Sequence, residues 1–324
     1  MKRWMKWLLA ASTVTFLAAC GSDDDHPPAP GTLAQEATDA GFGALVAAAD
    51  KAGLVGALSD PSATLTVFAP TDAAFTTLAN ALGFASATEM VTALDGAVLA
   101  KILQYHVLPT RQSAAQLTAG GATQATLYAF PAGTQATLAL DTRSGVKITD
   151  AALNQATVTS ADVAASNGVI HVIDKVLVPP GVLTVVQMAQ SNPTFSVLVE
   201  AVVAANLAGA LSQAGPFTVF APNNDAFVAA LGELGTTKEA LLARSDLADI
   251  LSFHVASGDL RAANVVALPK PAAVGTLLGE SFSVNANLLI TDGAGRTANL
   301  VATDVVASNG VIHVIDKVLL PPAP

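Results

Sequence analysis

The apolar positions of the chain change from helical spacing to strand spacing, and this succession occurs twice. Phe42, Leu45, Val46, Ala49 and Leu54 recur as one face of a helix does, and Phe195, Leu198, Val199, Val202, Val203 and Leu207 repeat the pattern. Each is followed by a short apolar run, Leu65–Ala69 or Phe217–Ala221. These runs read as strands stopped by Pro70 and Pro222, because proline cannot continue a ladder. Thr71-Asp72 and Asn223-Asn224-Asp225 then offer side-chain oxygens to the free N–H groups of a short helix carrying Phe75 or Phe227. Another helix leads to a strand at His106 or His254. Later, Val146–Thr149, Thr157–Val163, Leu288–Thr291 and Asn299–Val305 alternate as strands do, with Asp292-Gly293 as a turn between two of them. Gly168–Val178 and Gly310–Leu320 are β-branched runs that close each half. Each starts at an Asn-Gly pair suited to a turn with positive φ and is stopped by Pro-Pro. Helices first and strands later predict an α+β fold.

Direct self-comparison supports the doubling. Ala165–Leu177 and Ala307–Leu319 both read ASNGVIHVIDKVL. Thr66–Phe75 (TVFAPTDAAF) matches Thr218–Phe227 (TVFAPNNDAF), and Gln104-Tyr105-His106-Val107 matches Ser252-Phe253-His254-Val255. Order is preserved, and the period far exceeds the roughly 20–50 residues of solenoid repeats. Two tandem domains follow, over residues 33–180 and 181–324. The joint Val178-Pro179-Pro180-Gly181 is short enough to favour a fixed relative orientation.

The N-terminus has a different character. Lys2, Arg3 and Lys6 precede a short apolar stretch from Trp7 to Leu17, then Ala18, Ala19 and Cys20. Residues 1–19 read as a secretory signal peptide. Leu17-Ala18-Ala19-Cys20 resembles the bacterial lipobox, in which the cysteine is lipidated and becomes the new N-terminus. Gly21 rather than Asp follows it, which leans towards the outer membrane. Residues 20–32, rich in Pro, Gly and Asp, form a tether with little to bury. The run Asp23-Asp24-Asp25-His26 lacks the spacing of a calcium loop and reads as solvated spacer.

Composition narrows the classes. The chain has 324 residues, 52% of them hydrophobic and 12% charged, and its mean hydropathy is +0.53. A membrane-spanning helix needs about 18 or more apolar residues in a row, and only the signal segment approaches that. The net charge of −10, without a basic stripe, argues against nucleic acid. A single cysteine excludes an intrachain disulfide and a cysteine zinc site.

The repeated motifs carry a family resemblance. TVFAPTDAAF and TVFAPNNDAF resemble the first box of fasciclin-like (FAS1) domains, and ASNGVIHVIDKVL resembles the second. Tyr105-His106 matches the family's central Tyr-His motif, from which Phe253-His254 departs by losing the hydroxyl. The resemblance covers about Leu33–Pro324. It implies two β-wedge domains, each of about seven strands packed with several helices, with the two boxes as neighbouring strands. It also implies an extracellular adhesion or interaction module.

Chemistry-bearing residues recur at matched places. Tyr105, His106, Phe253 and His254 are candidates for a partner contact or for core structure. Thr66, Pro70, Asp72, Phe75, Asn167, Gly168, His171 and Asp174 form the structural signature of the first domain. Thr218, Pro222, Asn224, Phe227, Asn309, Gly310, His313 and Asp316 form that of the second. His171 and Asp174 are three apart, as are His313 and Asp316, so on a strand they face opposite sides. Asp162 and Asp304 precede the second box at equal spacing. There is no Gly-x-Ser-x-Gly elbow, Walker loop or His-Glu-x-x-His. No catalytic residue, metal or cofactor is expected. The expected function is a non-enzymatic, lipid-anchored envelope protein that mediates adhesion or matrix contact through a protein or polysaccharide partner. The alternative is a periplasmic carrier of an apolar small molecule or lipid.

Overall fold

The computed structural model describes residues 29–131, 133–267 and 269–323. The signal segment, Cys20 and the Asp23–His26 run lie outside the described residues. In the first half, helices Leu33–Asp39, Gly43–Lys51 and Val55–Ser59 come before any strand. Seven strands follow: β1 (Leu65–Pro70), β2 (Val107–Leu108), β3 (Thr123–Ala129), β4 (Gln135–Asp141), β5 (Lys147–Thr149), β6 (Gln155–Ala165) and β7 (Gly168–Ile173). They form one sheet in the order β2-β1-β7-β6-β5-β4-β3. Helices Asp72–Ala81, Ala87–Ala93 and Gly96–Tyr105 separate β1 from β2.

The two boxes meet as β1 and β7, a parallel pair with Leu65 opposite Gly168 and Pro70 opposite Ile173. Pro70 is thus the last paired residue, where its missing N–H costs the ladder least. Strand β1 is buried on both faces. Val67 and Ala69 face the helices with Leu45 and Phe75, while Phe68 faces Tyr105, Leu138 and Ile148. Burial of this kind contributes about 25 cal/mol per Å² of apolar surface, and explains why the strand is apolar on both faces rather than alternating, apart from Thr66, whose buried hydroxyl is hydrogen-bonded.

The second half repeats the plan with β8 (Phe217–Pro222), β9 (Val255–Ser257), β10 (Ala272–Gly275), β11 (Ser281–Val284), β12 (Ile290–Thr291), β13 (Thr297–Ala298), β14 (Leu300–Ala307) and β15 (Gly310–Ile315). They form two four-stranded sheets, β14-β15-β8-β9 and β10-β11-β12-β13. The expected seven become eight because the strand equivalent to β6 is interrupted at Asn299 and counts as β13 and β14. The halves share one apolar core, and the Asn192 amide donates a buried 2.8 Å hydrogen bond to the Ala152 carbonyl.

Four sequence expectations are corrected. The closing strands end at Ile173 and Ile315, and the chain leaves the sheet before Val178 and Leu320. Tyr105 is the last residue of its helix and His106 its C-cap, so neither is on a strand. Phe253 and His254 likewise lie between the helix Leu247–Ser252 and β9. Gly168 and Gly310 do not adopt positive φ; Asp162 (φ 59) and Asp304 (φ 60) do. The glycines are required for proximity, because a Cβ on either would overlap the carbonyl oxygen of Leu65 or Phe217 across the parallel pair. Gly31 and Thr32, read as tether, already belong to the first domain. Gly31 accepts from the Ser166 N–H, and Thr32 caps the helix Leu33–Asp39.

Candidate functional site

Both ring nitrogens of each motif histidine are committed to the main chain. His106 Nε2 accepts from the Leu177 N–H at 2.8 Å, so Nδ1 must carry the proton, donated to Ile102 O at 2.7 Å. His254 repeats this with Leu319 N at 2.8 Å and Ile250 O at 2.7 Å. Each histidine therefore ties the end of its helix to the last residue of the second box. Burial pulls both imidazoles down to about 4, and the hydrogen bond to the helix carbonyl only partly opposes this.

The second pair of histidines uses the opposite tautomer. His171 Nδ1 accepts from the Asp162 N–H and Nε2 donates to Gln112 O at 2.9 Å; His313 does the same with Asp304 and with Leu260 O at 2.7 Å. Burial also holds His313 below the ordinary range. Asp162 and Asp304 sit at register breaks in β6 and β14. Their carboxylates accept from Ala114 N and Ala262 N, the first residues of the helices Ala114–Ala119 and Ala262–Ala267 that precede these strands in the chain. A β-bulge with an aspartate in the left-handed region thus ties the sheet to a helix. His171 and Asp174 do not converge. Asp174 accepts from Thr157 N at 2.6 Å, and Asp316 accepts from Asn299 N at 2.7 Å.

Tyr105 is 1% exposed, and its hydroxyl donates to Thr137 O at 3.0 Å. Burial, then the Asp150 carboxylate, push the phenol above its ordinary range. His106, Phe253 and His254 are equally enclosed, at 1%, 0% and 2%. A partner at the protein surface cannot touch these four side chains, which leaves the interior role. Tyr105→Phe copies what Phe253 does in the second half. It is expected to cost about 1 kcal/mol through the unpaired Thr137 carbonyl, and calorimetric melting checks this.

The remaining signature residues are also anchors. Thr66 donates to Thr110 O and accepts from Gln112 N, while Thr218 does so with Gly258 O and Leu260 N. Asp72 accepts from Ala44 N, and Asn224 accepts from Val197 N. Pro222 closes β8 opposite Ile315, as Pro70 closes β1. Phe75 and Phe227 are core residues, each 2% exposed. Asn167 binds three main-chain groups: Leu33 N at 2.8 Å, Leu58 O at 3.0 Å and Asp60 O at 2.8 Å. Asn309 does the same for Val185 N, Leu211 O and Gln213 O. Asn167→Ala is expected to destabilise the chain by about 2 kcal/mol, since it strands buried donors and acceptors. Urea unfolding measures it, and an unchanged midpoint would contradict this anchoring role.

Asp150 is an anchor that the sequence reading missed. Its carboxylate accepts from Ala152 N, Asn154 N, Val178 N and the Asn154 amide. Burial nevertheless pushes it up to about 6. Its counterpart Asp292, read only as a turn residue, accepts from Ala294 N, Arg296 N and Leu320 N. The hint was present in the equal spacing of the two aspartates from their second boxes. Among the described residues, no three His, Cys, Asp or Glu side chains group closely enough to hold a metal ion.

The doubled constellation of boxes, histidines and asparagines coincides with a known domain. The Fasciclin domain profile matches residues 40–179 and 193–321. The chain belongs to the Fasciclin domain family. It folds as two tandem Fasciclin domains of the α+β β-wedge type. It is 46% identical to Protein sll1483 of Synechocystis sp. over 144 residues, covering 43% of this chain and 74% of that protein. It is 36% identical to Transforming growth factor-beta-induced protein ig-h3 of Sus scrofa over 157 residues, 48% of this chain but only 22% of that protein. Among solved structures, a FAS1 domain pair from the insect cell adhesion molecule Fasciclin I covers 88% of this chain and 95% of its own, at 21% identity and a TM-score of 0.45. No described helix of these Fasciclin domains is long and apolar enough to cross a membrane.

Proposed function

We propose that the protein is a non-enzymatic binding module of the bacterial cell envelope. In this reading it is exported, lipidated on Cys20 and held at the outer membrane, and its two Fasciclin domains contact a matrix protein or polysaccharide. The observation that carries the reading is the commitment of the motif side chains. The imidazoles, threonines and asparagines that could serve chemistry are bonded to main-chain groups within the Fasciclin cores. Such a core makes a rigid scaffold, and recognition then falls to exposed loops and faces. The Leu17-Ala18-Ala19-Cys20 ending supplies the anchor, and each buried CH₂ of an acyl chain adds about 0.8 kcal/mol of membrane affinity. The test is deletion of the gene in its host, complemented by the wild-type chain or by Cys20→Ser, followed by attachment to surfaces and matrix polymers. Attachment should fall on deletion, return with the wild type and not return with Cys20→Ser. Parental attachment by the deletion strain would overturn the reading.

A further inference from the structure

The two domains differ at one place inside their shared plan. In the first, a cavity of about 340 Å³ lies between the three N-terminal helices, β1 and the end of the helix Gly96–Tyr105. In the second, the corresponding space holds about 40 Å³. The cavity is therefore not a requirement of the fold.

The difference traces to a few side chains. The Thr32 and Thr184 caps, and the bonds of Leu33 and Val185 to Asn167 and Asn309, align the first helices. Ala34 then corresponds to Val186. The bonds of Ala44 and Val197 to Asp72 and Asn224 align the next helices, so that Ala49 corresponds to Val202. The β1 and β8 registers against Gly168 and Gly310 place Leu65 opposite Phe217 in this correspondence. At each of the three positions the second domain carries the larger side chain. Ala34, Ala49 and Leu65 line the open cavity, and Val186 and Val202 line the closed one.

The chemistry of the open cavity is one-sided. Its lining is aliphatic apart from Thr38, Gln104 and His106, and no charged side chain reaches it. His106 has both ring nitrogens committed elsewhere. Val55 and Leu127, which also line it, are exposed at 37% and 39%, so the cavity has an apolar mouth at the surface. Its size is at the lower end of the roughly 300–1,000 Å³ of ligand pockets, which suits one slender chain rather than a fused-ring lipid. An interior void of this size would otherwise be destabilising, because its lining lacks partner atoms.

We propose that the cavity of the first domain binds the hydrocarbon chain of a single-chain amphiphile, with the polar head left at the mouth beside Thr38. The second domain, filled by its own side chains, does not bind one. This site is independent of the envelope-contact reading and stands or falls separately from it.

The experiment titrates dodecanoic acid into the full chain by calorimetry, with Cys20→Ser so that purification needs no detergent. One molecule per chain is expected to bind. Ala34→Val with Ala49→Val should weaken binding at least about tenfold, as added methyl groups do in an apolar pocket. The melting temperature should be held or raised. The reverse change, Val202→Ala with Phe217→Leu, should open a second site and bring the stoichiometry to two. If the filled variant fails to fold, the reverse variant decides alone. Absence of binding to the unfilled chain, undiminished binding by a folded filled variant, or a stoichiometry that stays at one in the reverse variant would overturn the proposal.

Discussion

Gly310→Ala is expected to destabilise the second domain severely, by about 3 kcal/mol or more. Strand β15 lies parallel to β8 with Gly310 directly opposite Phe217. The added methyl would overlap the Phe217 carbonyl oxygen and approach the Phe217 carbonyl carbon and nitrogen at 2.9 Å. Main-chain atoms cannot swing aside as a side-chain end can. The pair would have to separate at its first residues, at the start of the two strands that carry Phe220, Ile312 and Val314 into the core. Overpacking of a core costs about 1–3 kcal/mol. Here the obstacle is backbone within the central pair, so a cost at or above the top of that range is expected, a large share of the roughly 5–15 kcal/mol of a domain's stability. Circular dichroism melts of the purified variant measure it, and a melting temperature near the wild type would refute the close-approach explanation.

Acid is expected to weaken the protein mainly through His106 and His254. Their folded pKa values, about 4, lie below the unfolded value of about 6.5. As pH falls below 6.5 the unfolded chain takes up protons first, so the stabilisation is complete above that pH and is lost down to about 4. Each histidine accounts for about 3 kcal/mol of this loss. Asp150 acts with the opposite sign. Its folded pKa, about 6, lies above the unfolded carboxylate value, so the folded state gains protons first over much of the same window. Two histidines against one aspartate leave a net loss of about 3 kcal/mol between neutral pH and about 4. Urea unfolding at a series of pH values reads this directly, and a flat profile would contradict the buried neutral imidazoles.

The boxes and the helical faces were legible because their patterns are local. Burial on both faces of β1 leaves apolar residues side by side at Val67, Phe68 and Ala69, and Thr71 and Asn223 cap helices as their positions suggest. Strands β3 and β4 were not anticipated, although their inward residues alternate, because Thr, Gln and Ala on those faces give little hydropathy contrast. Positive φ falls on Asp162 and Asp304, not on the glycines of the Asn-Gly pairs. Asn-Gly is a common turn signal, but whether its glycine serves a turn or a close approach depends on the strand across the sheet. Likewise His106 and Leu177 are distant in sequence, and no local pattern shows that an imidazole will bond that N–H. The cavity has no local signature in the sequence. Its cause, three smaller side chains in the first domain, emerges once the structure aligns the two copies.

The central claim is that the motif histidines are structural, each with both ring nitrogens bonded to the main chain and enclosed from partners at the protein surface. Nitrogen-15 NMR of the imidazoles in the full chain, across a pH titration and after addition of zinc, tests this most directly. The account predicts His106 and His254 in the Nδ1–H tautomer, His171 and His313 in the Nε2–H tautomer, and no response of any of the four to zinc. It also predicts no protonation of His106 or His254 until pH falls to about 4, or until the chain unfolds. Titration of His106 or His254 near 6.5 in the folded chain, or a zinc-induced shift at any of the four, would contradict it.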